Sequence, residues 1–291
     1  PAASTVREEP IIAGRSLRRA ERSQPAAVIA AQPSLRVRPL RGEPCHDDGV
    51  HTLFGEVADI YDDVRPGYPD RIADAIGDYH GTTPEHIVEI GAGTGKATRL
   101  LRRLGAPITC LEPDPRMAAR LTANLPDVTV HTETFEQWAP PPGGVPMIVA
   151  ALAWHWLDPT TRNQHAHDAL TPGGTLAIFA HKYGYADPAQ SRAIDTALRA
   201  VDPDVRDRPA GWFHLDVTAS GRFTDVRAET FDRDLTLSTD RYLNLVRTFG
   251  LFRHHQADQQ ERALATVRSL VDGFGGGIVL RLRTSLVLAR R

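Results

Sequence analysis

Residues Ile87–Thr98 read I-V-E-I-G-A-G-T-G-K-A-T, and this stretch decides the fold. Ile87, Val88 and Ile90 make the short apolar run of a buried parallel strand. Gly91, Gly93 and Gly95 follow at every second position, and Lys96–Arg103 then read as a helix with Ala97, Leu100, Leu101 and Leu104 on one face. Strand, glycine turn and helix describe the first crossover of a nucleotide-binding α/β sheet. Glycine suits such a turn because the backbone needs positive φ and a ligand must approach it closely. The helix start then offers unpaired N–H groups.

The spacing of the glycines bears on the ligand. A dinucleotide fingerprint, G-x-G-x-x-G, would want glycine where Lys96 stands. This chain has G-x-G-x-G, with Glu89 two residues before the first glycine. The E-x-G-x-G-x-G pattern resembles motif I of the class I S-adenosyl-L-methionine (SAM) dependent methyltransferases. On this motif alone, a glycine-rich turn of some other α/β protein stays open. Downstream, Pro107–Leu111 form the next strand and Glu112 ends it. An acid there takes ribose hydroxyls, since a carboxylate accepts two hydrogen bonds, and it lies at the expected distance of about 20 residues. Together the two signals favour SAM as the cofactor.

Working outward, the resemblance covers roughly Leu53 to Arg291. Phe54, Val57, Ala58 and Tyr61 share a helical face, and Pro66 and Pro69 stop that helix. Asp70 is placed to cap the helix Arg71–Tyr79. Helix followed by R-P-G-Y-P looks like the N-terminal cap of the type 11, trans-aconitate methyltransferase-like group. That resemblance makes Tyr61, Arg65 and Tyr68 candidates for contacts to the methionine end of the cofactor or to substrate. Packing against the sheet is the other reading, evenly matched for Tyr61 and Arg65 and favoured for Tyr68.

After Glu112, Asp114 falls near the ribose edge or caps the helix Arg116–Leu125, and Met117 falls near adenine. The third strand, Val128–His131, runs into T-E-T-F-E-Q-W, which resembles the loop bordering adenine. Thr134 stands where many relatives place an aspartate, followed by Phe135 and Glu136. The fourth strand is Met147–Leu152, with Met147 where relatives carry another aspartate. A-W-H-W-L-D then puts Trp154, His155 and Trp156 at a strand end, where open α/β sheets bind ligands. His155 is a candidate general base, its ordinary pKa lying near neutrality. Equally, it orients the loop or packs on the tryptophans.

Helix Thr160–Leu170 leads to L-T-P-G-G-T-L, a further family landmark, and to the fifth strand Thr175–Ala180. His181, Lys182, Tyr183 and Tyr185 are expected just beyond it, with Tyr183 lining the substrate pocket. Ala189–Ala200 reads as a helix, Trp212-Phe213-His214 as a covering loop, Val226–Phe231 as the sixth strand, Asp240–Phe249 and Gln256–Val271 as helices, and Ile278–Leu288 as the last strand. Arg253-His254-His255 reads as solvated. The expected architecture is α/β: a Rossmann-like, doubly wound, seven-stranded, mostly parallel sheet with an antiparallel last strand and a helical cap.

Composition narrows the function. The 291 residues carry a formal charge of −2 with both signs interspersed, which gives no overall nucleic-acid footprint. Two cysteines, Cys45 and Cys110, cannot build a disulfide framework and suggest a reducing cytoplasm. No apolar run reaches the ~20 residues of a membrane span, and no His/Cys grouping has metal-ligand spacing. Residues 1–48 read as a flexible arginine-rich extension, with a short helix around Arg15–Arg22, and 49–291 as the catalytic domain. Within it, 49–80 is the cap, 81–180 the SAM-binding core and 181–291 the substrate side. No D/N-P-P-Y tetrad and no Pro-Cys pair follows the fourth strand, which argues against nucleic-acid methylation. The reading is methyl transfer from SAM to a small molecule. An RNA or protein methyltransferase using the basic extension, and a non-catalytic SAM- or nucleoside-binding module, are the alternatives. The acceptor, the methylated atom and the oligomeric state are not legible.

Overall fold

The computed structural model describes residues 55, 58–200, 209–253 and 255–291, apart from the side chains of Leu251 and Arg253. The expected extension 1–48 with its helix, and the positions Cys45, Phe54, Val57 and His254, lie outside the described residues.

Two four-residue strands, almost wholly buried, open the sheet. In β1 (Ile87–Ile90) all four residues are buried, and it lies between β2 (Ile108–Leu111) and β4 (Val145–Ala151), parallel to both. β3 (Thr129–His131) adds to β2, and β5 (Leu170–Tyr185) adds to β4, all parallel. β7 (Gly277–Arg290) runs antiparallel to both β5 and the edge strand β6 (Thr224–Ser238). The order β3-β2-β1-β4-β5-β7-β6 is the seven-stranded, mostly parallel sheet with one antiparallel strand that the sequence led us to expect. The winding reverses between β1 and β4, and a crevice opens at the C-terminal ends of strands flanking such a reversal.

Side-chain alternation sends neighbours to opposite faces. Ile87, Cys110, Met147, Val149 and Phe179 pack under helices α2 (Arg71–His80), α3 (Lys96–Leu101) and α4 (Pro115–Asn124). Val88, Ile90, Leu111, Ile148 and Ile178 face α5 (Arg162–Ala169) and α7 (Trp212–Ala219). A third core lies beyond the parallel block. There Leu237, Ile278, Leu280 and Leu282 meet Val64 of the cap helix α1 (Ala58–Val64), Ile194 of α6 (Pro188–Arg199), and residues of α8 (Thr239–Arg247), α9 (Gly250–Arg253) and α10 (Ala257–Gly273).

That third core explains the main departures from expectation. β5 begins at Leu170, which pairs with Val145, instead of at Thr175 after a turn, and it does not end at Ala180 but pairs with β7 out to Tyr185, so His181, Lys182, Tyr183 and Tyr185 belong to the strand. β6 likewise extends from Thr224 to Ser238 instead of Val226–Phe231. Antiparallel pairing continues because apolar residues alternate along these strands and helices cover one face. Trp212, Phe213 and His214 form the first turn of α7, with Phe213 and Val217 inward, not a loop. Asp70 makes no side-chain cap and lies 3.4 Å from Arg103. The short helix α9 was not expected, and the remaining elements agree with the expected bounds to within one or two residues.

Candidate functional site

The crevice is built first by backbone. Gly91, Gly93 and Gly95 have φ of 62°, 58° and 88°, the left-handed region that glycine tolerates. A Cβ on Gly91 would come 2.7 Å from the Cβ of Ala153, so the turns after β1 and β4 touch at this point. A Cβ on Gly93 would meet nothing within 4 Å. The chain therefore leaves open space over a bare peptide, directly before α3.

Glu112 stands beside that space. Its Oε2 accepts from the Gly93 N–H at 2.7 Å and its Oε1 from the Asp114 N–H at 3.0 Å. Burial pushes its carboxyl up to about 7, although these two N–H bonds pull the other way. Glu89 lies beneath the turn at 1% exposure, with the Cys110 thiol 4.0 Å away and Oε1 without a hydrogen-bond partner. Burial, with Glu112 adding to it, pushes Glu89 up to about 8. Asp114 has taken the capping role: it accepts from the N–H groups of Arg116 and Met117, and also from Gly55 at 2.9 Å. Thr134 exchanges hydrogen bonds with Gln137. Phe135 is buried against Trp138, and Glu136 accepts from the Asp158 N–H at 3.4 Å. This loop thus braces the turn after β4.

The residues expected on the acceptor side divide. Trp154, expected beside the pocket, points into the core at 2% exposure, and its indole N–H donates to Asp216 at 2.8 Å. Trp156 is 39% exposed, with the ring of His155 at 4.6 Å. The turn at 154–156 thus gives Trp154 a packing role, leaving His155 half-buried and Trp156 exposed. Leu152, which opens the turn, has φ of 55°. A branched residue in that region stores strain.

The cap closes the other side through contacts that the sequence reading did not foresee. Asp62 accepts from Thr94 Oγ1 at 2.9 Å and Asn124 Nδ2 at 3.2 Å, with Lys96 and Arg99 within 3.7 Å. Partial burial pushes its pKa up, yet these hydrogen bonds and cations hold it below the ordinary carboxylate value. Asp62 so ties α1 to the glycine turn. Arg65 donates to Thr248 Oγ1 at 2.8 Å and to its carbonyl at 2.7 Å, and lies over Tyr61 and Phe249 at 5.0 and 5.1 Å. Tyr183 joins this group through its hydroxyl, 3.5 Å from Arg65, and Tyr68 packs as expected, stacked on His181 at 4.4 Å. Thr248 lies 183 residues from Arg65, and no local pattern in the sequence marks that pairing. Asp62 is one of three acids in the short helix α1, and no local signal separates it from the exposed Asp59 and Asp63.

The residues present fit an adenosyl cofactor on an observation of the fold: an open glycine cradle with a buried carboxylate beside it. Among the described residues there is no metal-ligating cluster, and no helix is long and apolar enough to cross a membrane. Comparison with known proteins points the same way. Residues 87–174 match a family described as a methyltransferase domain. An uncharacterised methyltransferase of Mycobacterium tuberculosis is 32% identical over 134 residues, 46% of this chain and 54% of its own. The trans-aconitate 2-methyltransferase of Klebsiella pneumoniae is 36% identical over 97 residues, 32% of this chain and 38% of its own. The chain thus spans about half the length, or less, of these curated relatives. A protein of Anaeromyxobacter dehalogenans assigned as a type II methyltransferase shares the fold, with a TM-score of 0.56 at 19% identity, covering 78% of this chain and 97% of that one.

Proposed function

We propose that this chain, which carries a class I SAM-dependent methyltransferase domain, transfers a methyl group from SAM to a small-molecule acceptor. The observation that carries the reading is the bare, positive-φ peptide at Gly93, open above and flanked by Glu112. When bound, SAM supplies a methyl group activated by its sulfonium. The protein's own part is holding and aligning. Gly91–Gly95 would take the amino-acid portion against backbone. Each Glu112 oxygen keeps a lone pair beyond its present N–H bond, which suits a vicinal diol. The acceptor would lie between the turn bearing His155 and Trp156 and the cap bearing Tyr61 and Arg65. Alignment and exclusion of water supply most of the acceleration in such a site. His155 would remove a proton from a hydroxyl or amine acceptor. The buried free thiol of Cys110 supports a reducing, cytoplasmic setting.

Calorimetric titration with SAM, S-adenosylhomocysteine and NAD tests the cofactor. Micromolar binding of the two adenosyl ligands and none of NAD is expected. Incubation with isotopically labelled methyl-SAM and an acceptor panel, read by mass spectrometry, then tests the transfer. Absence of adenosyl binding sinks the reading.

A further inference from the structure

We propose that Arg162 and Asp216 are positioning residues, which aim the turn Leu152–Asp158, and with it His155 and Trp156, from behind. The inference rests on reading that turn as the acceptor side of the methyltransferase site. The turn starts at the strained Leu152, whose N–H is fixed by the Phe179 carbonyl at 2.9 Å, and is closed by Trp156 N–H to the Ala153 carbonyl at 2.9 Å. Strain of this kind persists only where the surroundings over-determine it.

The over-determination comes from one residue held at two points, its side chain and its main-chain carbonyl. Trp154 gives its indole N–H to Asp216 at 2.8 Å, and its carbonyl receives Nη1 of Arg162 at 3.2 Å. Arg162 closes the circuit by donating Nε to the same Asp216 oxygen at 3.1 Å and Nη2 to the other. Asn163 adds a fourth donor to Asp216 at 3.1 Å. The guanidinium, 5% exposed, lies 4.9 Å from the ring of Trp212 and 5.7 Å from that of Trp154. The Arg162 hydrogen bonds and charge hold Asp216 ionised against its burial. Packing alone would not call for this arrangement, because a buried ion pair is often replaceable by apolar residues without loss of stability. What apolar residues lack is direction. The network fixes both the indole and the carbonyl of Trp154, so the next two residues leave the strand at one angle.

The test uses the full chain and two variants, Asp216→Asn and the double change Arg162→Met with Asp216→Leu. The second leaves no stranded charge and preserves packing volume. Amide hydrogen exchange is followed by mass spectrometry over residues 152–158 and, as an internal control, over 91–95. S-adenosylhomocysteine affinity and Tm are measured alongside. In the double variant, exchange over 152–158 is expected to quicken by about tenfold or more while 91–95 stays protected. Affinity stays within about threefold, and kcat with an identified acceptor falls while KM for SAM holds. Unchanged protection over 152–158, or an equal loss at 91–95, overturns the proposal. Failure of the unmodified chain to bind S-adenosylhomocysteine would instead overturn the methyltransferase reading and leave the exchange comparison standing.

Discussion

The two sides of the crevice are made from different materials. On the proposed cofactor side, the crevice is lined by peptide groups whose conformation is set within five residues, Gly91–Gly95, with Glu112 one strand away. On the proposed acceptor side, side chains meet from the cap, β5, the C-cap of α8, α5 and α7 across separations of 53 to 183 residues. The first side is local, so a single methyl group should be enough to ruin it. The second is a network, in which each deletion costs a share.

The largest effect should come from the glycine turn. Gly91→Val drives a side chain into Ala153 at a φ that valine resists, so both folding and S-adenosylhomocysteine binding should collapse. Gly93→Ala separates the two losses. Its Cβ enters open space, so the fold should survive with about 1–2 kcal/mol of backbone strain, while calorimetry finds no adenosyl binding. Retained binding in Gly93→Ala would break the contrast between the two sides.

On the acceptor side, His155→Ala should leave adenosyl binding intact and slow transfer by about a hundredfold. An unchanged rate would make His155 a scaffold of the turn. Arg65→Ala, which strands Thr248 acceptors and opens the aromatic group, should cost about 1–3 kcal/mol in urea unfolding. A larger loss would mean that the cap is as indispensable as the glycine turn.

Acidity offers a subtler probe. Glu89 and Glu112, at about 8 and about 7, lie above their ordinary 4.5, so the folded chain holds protons that the unfolded chain releases. Their contribution to stability is complete below about pH 4.5 and is lost as pH rises through 7 to 8. Glu89→Gln should therefore raise Tm relative to the unmodified chain near pH 8 and change it little near pH 4. Smallest of all, Asp234→Asn removes an exposed cross-strand pair with Arg281 and should leave Tm unchanged within error.

The same division governs how much the sequence revealed. β1, the glycine turn and Glu112 at the end of β2 were legible because each is a short-range pattern. The length of β5 and β6 was not, because those strands continue only where β7 pairs with them and α8 and α10 supply a third core. Asp114 was legible as either a ligand contact or a cap, and only the positions of Gly55 and the first turn of α4 turned it toward capping.

The sequence by itself determined the parallel core, its glycine cradle and the class of cofactor, since positive φ and strand burial are properties of a few adjacent residues. Tertiary structure alone decided that Trp154 faces inward while Trp156 faces out, that Asp62 latches the cap to the glycine turn, and that Arg65 reaches Thr248. Those outcomes depend on which distant donors and acceptors arrive at hydrogen-bond distance, and chain topology, not local propensity, brings them there.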